Sequence, residues 1–255
     1  MESKKYEFTG ETMKFYTYTL RRIRALVDIK SVVKKGELGG WIECEENLSQ
    51  EGNCWVDDGC YVYGGAKVYE DAHVAGGARV LFDSEVYGNA YVGIYSEVIH
   101  NSKVYGSAAV TGGSLVNGAE VYGNATIAGR AVVEKGAKVF DTAIVDYGAT
   151  VSGKARVHKS ALVSGEAIIA DGDIDSRSDF ICVGPIGSRN AYTTYNLKTG
   201  TVCTGCFKGT LQEFKEKVDV FHGTVLGGNE HHKAYNKLIT YFKTFSLRAT
   251  EPEED

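Results

Sequence analysis

Proline is almost missing from this chain, with 2 in 255 residues beside 31 glycines. Glycine without proline, and without a Gly-X-Y period, excludes a collagen-like rod and a disordered Pro/Gly linker. No run of about 18 apolar residues occurs, so nothing reads as a membrane-spanning helix. The stretch Met1 to Gly10 lacks the apolar centre of a secretory leader. Six cysteines are scattered without the spacing of a disulfide framework, and a chain of this length does not need one. A cytoplasmic protein with reduced thiols is expected. The formal net charge of -5 gives no basis for nucleic-acid binding, and no membrane partner is expected.

What is there is a repeat, and a repeat decides the fold before anything else. An aliphatic residue returns every six positions at Val56, Val62, Val68, Val74, Val80, Val86, Val92, Val98, Val104, Val110 and Val116. A single five-residue step leads to Val121, and the period resumes through Ile127, Val133, Val139, Val145, Val151, Val157, Val163 and Ile169. Two residues before each stands a small side chain, from Cys54, Cys60 and Ala66 to Ala161 and Ala167. Within a strand, residues two apart share a face, so the small and the aliphatic residue point inward together. Turn residues such as Gly64-Gly65 and Gly123-Asn124 fill the intervals and tolerate left-handed dihedrals. Three units close one triangular coil, and the series predicts six to seven coils rising roughly 4.8 Å per stacked strand. Glycine in so many units suits no amphipathic helix.

This pattern of aliphatic, three variable residues, small and variable resembles the hexapeptide-repeat family. The resemblance implies a left-handed parallel β-helix, where the general rule for parallel crossovers would give a right hand. The entry segments Leu38 to Glu43 and Asn47 to Val56 are similar to those of phage and bacterial proteins called acyltransferases or polymer-forming proteins. That resemblance names no activity.

At every third unit, the residue after the aliphatic forms a column: Tyr69, Tyr87, Tyr105, Tyr122, Phe140 and His158. The residue before it reads Lys67, Glu85, Lys103, Glu120, Lys138 and Arg156, mostly alternating in sign. Two readings stay open for this outward ladder: a stack that stabilises the coils, or an oligomer interface, since long exposed aromatic stripes are usually covered. The resemblance implies a homotrimer packed face to face.

The organisation read from the chain is a β-rich N-terminal cap (1–53), the β-helix (54–171), a small α+β module (172–247) and an acidic tail (248–255). In the cap, Lys14 to Val27 reads as a strand. In the module, Phe180 to Val183, Ala191 to Asn196 and Val202 to Phe207 read as strands. Thr210 to Glu213 is a capping box opening a helix that buries Leu211, Phe214, Val218 and Phe221. Asn229 caps a second helix with Tyr235, Leu238, Ile239 and Phe242 on its buried stripe.

The stretch Gly184 to Asn190 combines free backbone with a hydroxyl and a guanidinium, which suits a phosphate or carboxylate. Gly187, Ser188, Arg189 and Asn190, with Thr193 and Thr194 following, are the candidate ligand contacts. Cys203 and Cys206 have metal-knuckle spacing, with His222, His231 and His232 as conceivable partners, but strand alternation would bury one thiol and expose the other. No metal, cofactor or catalytic residue is assigned. The reading favoured is a noncatalytic trimeric protein binding a small phosphorylated, nucleotide-like ligand. If phage-encoded, it would sequester a host immune signal in the host cytoplasm. Two alternatives are a hexapeptide-type acyltransferase, with His158 preferred over His100 as base, and an adaptor acting through the aromatic face.

Overall fold

The computed structural model describes residues 4–223 and 229–246, so the acidic tail lies outside the described residues. The chain is mainly β, a parallel β-solenoid of about seven turns with a cap at each end. Its three faces are parallel sheets, two of seven strands and one that the cap extends to ten. Register follows the repeat: Val62 pairs with Val80, Val68 with Val86, and Val74 with Val92. The repeat aliphatics from Val56 to Ile169 and the small residues two before them are buried, which makes one continuous axial core.

The five-residue step is absorbed at one corner. Between the rungs Leu115–Asn117 and Glu120–Val121, Gly118 turns with φ +69. Its amide donates to Ser102 Oγ at 2.7 Å, and the same hydroxyl donates to Ile99 O at 2.5 Å. A buried serine therefore satisfies the corner that the missing residue leaves.

At the N-terminal end, strand β1 (Tyr6–Phe15) and strand β2 (Tyr18–Ala25) form an antiparallel hairpin. The segment Lys14 to Val27 is thus not one strand but the end of β1, a turn at Tyr16 with φ +52, and β2. The reason is aromatic: Phe15 and Tyr18, on opposite arms, both pack on the first coils, Phe15 stacking on Tyr61 and Tyr18 lying 4.7 Å from Tyr63. Strand β3 (Leu38–Ile42) runs antiparallel to β2 and parallel to the rung Tyr61–Tyr63, which joins cap to solenoid. Gly39 and Gly40 permit that approach. A Cβ on Gly39 would lie 2.6 Å from the Trp55 ring, and one on Gly40 2.6 Å from Asp57 O. Stacking begins before Val56, since Ile42 pairs with Val62 and Leu48 bridges to Val68.

The repeat also outlasts Ile169. A second five-residue step, cornered by Gly172 with φ +79, adds the rung Asp173–Ile174, which pairs with Arg156 and Val157. Four antiparallel strands then cover the end: β4 (Phe180–Ile186), β5 (Ala191–Asn196), β6 (Thr201–Thr204) and β7 (Phe207–Thr210). The segment Val202 to Phe207 is two strands, not one, because Gly205 with φ +53 folds it into a hairpin. This sheet satisfies the last coil: Thr194 Oγ1 accepts from Ile168 N, Asn196 Nδ2 donates to Asp171 O, and Lys208 Nζ donates to Ala170 O, each at 2.9 Å. Its other side carries α1 (Leu211–His222) and α2 (Glu230–Ser246). Thr210 and Glu213 form the capping box, and Asn229 Oδ1 accepts from His232 N at 2.9 Å. Phe214, Val218, Tyr235, Leu238, Ile239 and Phe242 are buried as the helical pattern predicts, but Phe221 is 69% exposed.

Candidate functional site

The turn between β4 and β5 and the turn between β6 and β7 lie side by side, and α1 and α2 pass behind them. Between these elements opens a cleft of about 510 Å³. Its polar rim is Ser188, Arg189, Thr204, Lys217 and His222, and its wall includes Phe207, Phe214, Phe221 and Tyr235. A concave site with an aromatic wall and a few convergent polar groups is the usual form of a small-molecule site. Phe221 leaves the buried stripe to line this cleft, where Lys217 sits 6.0 Å over its ring. Phe214 and Tyr235 meet edge to face at 5.7 Å, and His222 stacks on Tyr235 at 5.5 Å.

Arg189 spans the two turns. Its Nη1 donates to Cys206 Sγ at 3.0 Å, and this guanidinium holds the exposed Cys206 thiol below its usual range. Cys203, on the same hairpin, faces the coil end instead, where burial pushes its thiol up. The spacing that suggested a metal knuckle therefore points its sulfurs apart. Among the described residues no cluster of three or more His, Cys, Asp or Glu gathers at metal distance. Lys217 has no carboxylate partner among the described residues, so the cleft presents two cations and a histidine.

The candidate contacts divide. Ser188 and Arg189 line the cleft. Gly187 does not: with φ +74 it packs beneath Tyr235, where a Cβ would fall 2.0 Å from the ring, so its role is to let that ring close the floor. Asn190 is an exposed turn residue whose amide donates to Gly187 O at 3.2 Å. Thr193 is buried and donates to Thr204 Oγ1 at 3.1 Å, behind the cleft wall. Thr194 points the other way, into the joint with the solenoid. Alternation along β5 sends the two threonines to opposite faces, so neither hydroxyl reaches the turn as a free donor. Lys217, His222 and Tyr235 come from helices far along the chain, and no local pattern in the sequence brings them to Arg189.

The outward column is a continuous stack within the chain. Its five ring pairs lie 4.8 to 4.9 Å apart with interplanar angles of 2 to 5°. Beside it, Lys103 pairs with Glu85 at 3.8 Å, Lys138 with Glu120 at 3.1 Å, and Arg156 with Asp173 at 3.3 Å. Tyr69 Oη donates to Glu85 at 2.8 Å. His158 ends the stack on Phe140, with Nε2 3.5 Å from Asp173. His100 has the more base-like setting: exposed, stacked on Phe82 at 5.2 Å, with Nδ1 2.9 Å from Asn117 Oδ1, which leaves Nε2 outward.

Among the described residues no helix is long and apolar enough to cross a membrane. No known family model matches the chain. Over 50 residues it is 46% identical to a protein of Escherichia coli K12 called uncharacterized acetyltransferase YdcK. The match takes in 19% of this chain and spans only 15% of the length of that relative. The solenoid and this stretch of identity fit a hexapeptide-repeat, acyltransferase-like protein.

Proposed function

We propose that the protein is a noncatalytic binding protein that takes a small anionic ligand with a flat apolar body into the cleft of its C-terminal module. The observation that carries this reading is the placing of Arg189 and Lys217 on the rim of an aromatic-walled cleft of about 510 Å³. The guanidinium offers a planar fork to a phosphate or carboxylate, and Lys217 adds a point charge. Phe221 and His222 offer faces to a ring, backed by the buried Tyr235. A mononucleotide has both parts, so a nucleotide-like signal molecule is the ligand class this reading names. Phage origin and sequestration of a host signal are its narrowest form. The solenoid would then be a rigid carrier, assembled as a homotrimer, displaying three such clefts in the cytoplasm.

Calorimetric titration with adenosine monophosphate, coenzyme A and inorganic phosphate tests it. Binding of a nucleotide that falls at least about tenfold in the Arg189→Ala, Lys217→Ala double variant supports the reading, since each lost charged hydrogen bond is worth about 1.5–3 kcal/mol. No heat from any of the three, or binding that ignores the double variant, removes it.

Acetyl transfer is the second reading, and the identity to the acetyltransferase-named relative favours it. His100, oriented by Asn117, is the base it would use. Release of coenzyme A from acetyl coenzyme A in the presence of an amine acceptor, abolished in His100→Ala, would establish it in place of the first.

A further inference from the structure

Lys5 is the only lysine or arginine in the buried set of described residues, at 4% exposure. Burying an ammonium is costly unless it is paired, yet among the described residues its acceptors include no carboxylate. Its Nζ lies 3.2 Å from Glu51 O, 2.9 Å from Cys54 O and 3.0 Å from Cys54 Sγ. The lysine backbone is pinned on both sides: its amide donates to Gln50 Oε1 at 2.8 Å, and its carbonyl accepts from Leu26 N at 2.9 Å. The side chain therefore reaches from the N-terminal cap into the first coil and ends on a sulfur.

Cys54 occupies the small inward position of its unit, where most later units place alanine. Capping the two carbonyls explains a donor here but not a thiol within contact of it. The next unit supplies a comparison. Cys60 holds the same position, also fully buried, and its thiol is pushed up to about 11 by burial, with no amine beside it among the described residues. At Cys54 the neighbouring lysine works against that burial effect.

We propose that Lys5 and Cys54 are the site of an oxidative covalent cross-link in which one oxygen atom bridges Nζ and Sγ. Dioxygen is the oxidant. The amine gives up one hydrogen and the thiol its hydrogen, one oxygen atom forms the new N–O and O–S bonds, and the other leaves as water. Nitrogen and sulfur are oxidised and dioxygen is reduced. At 3.0 Å the two atoms are near enough for a single atom to join them while the backbone stays in place. Dioxygen needs no channel, and a brief local opening of the cap against the first coil admits it. The product fastens the segment entering β1 to the first coil, across 49 positions of sequence.

The test uses the full chain, purified anaerobically with dithiothreitol and then held in air-saturated buffer after the reductant is removed. The expected result is an intact mass that gains one oxygen and loses two hydrogens. Digestion should then yield one peptide containing both Lys5 and Cys54, returned to two by dithiothreitol, and the oxidised protein should melt higher than the reduced one. Cys54→Ala installs the residue used by most coils, so it keeps the fold while abolishing the change. Lys5→Met abolishes it too, and Cys60→Ala leaves it intact. A Cys54 that stays a free thiol, one that becomes sulfinic acid without linkage to Lys5, or a mass change persisting in Cys54→Ala would each overturn the proposal.

Discussion

At the scale of single residues, the informative positions are those where one atom settles an irregularity. Ser102 is such a case. Its hydroxyl serves Gly118 N at the shortened corner and gives its proton to Ile99 O, and it is fully buried. Ser102→Ala removes one of two acceptors of the Gly118 amide, which keeps Ile99 O at 3.1 Å, so it should destabilise the protein by about 0.5–1.5 kcal/mol. Ser84→Ala, at an unshortened corner, should cost less. Urea denaturation of both variants makes the comparison. Cys206 is the second case. Because Arg189 lowers its pKa, the thiolate persists to lower pH than at Cys182 and Cys203, whose thiols burial raises. Iodoacetamide at neutral pH should therefore label Cys206 first, and Arg189→Met should slow that labelling several-fold. Peptide mapping that finds another cysteine first would show that the pair does not form in solution.

Among elements, the aromatic column shows how a sheet spacing becomes a ring spacing. Parallel strands stack roughly 4.8 Å apart, and the rings follow at 4.8 to 4.9 Å, nearly parallel to one another. Tyr105 touches a ring on each side. At about 0.5–1.5 kcal/mol per aromatic pair, Tyr105→Ala should cost about 1–3 kcal/mol. Burial and then Glu120 push the Tyr105 phenol up to about 12, and Tyr69 and Tyr87 are raised as well. A pKa raised on folding means that the folded state holds its proton longer than the unfolded chain. The contribution is whole below about pH 10, the ordinary tyrosine value, and is lost as pH rises towards about 12. Denaturation midpoints should fall across that window, and Tyr105→Phe should weaken the fall. The helices illustrate a different limit. Their periodicity placed eight aromatic and aliphatic side chains on buried stripes; six are buried, Leu211 is half-buried, and Phe221 stands 69% exposed, because α1 overhangs the cleft at its last turn.

The whole molecule is a rod whose two open ends are closed by different devices, a hairpin that extends one face and a sheet that sits across the last coil. The C-terminal sheet thereby caps the last coil, whereas the hairpin moves the edge of its sheet outward to β1. The homotrimer is proposed to form by sideways association. Sedimentation should give three times the 27.7 kDa chain mass. If the column face is the contact, replacing Tyr87, Tyr105 and Tyr122 by Asp should dissociate the trimer while circular dichroism keeps its β signal. Unchanged mass would move the interface to the face of small residues that includes Ala75, Gly93, Thr111 and Ala128.

The sequence by itself determined the solenoid, its register, its inward residues and the columns on its faces. Each of those follows from a period, and a period is local information repeated. It also marked Ser188 and Arg189, because residue chemistry and free backbone coincided in one short stretch. Only the tertiary structure decided that Thr193 and Thr194 face away from that stretch, that Ile174 adds a rung after a second shortened corner, and that Lys217, Phe221, His222 and Tyr235 complete the cleft. Those facts depend on how a sheet docks across the end of a coil and how two helices cross it. Such contacts join segments far apart in the chain, and no spacing within either segment encodes them.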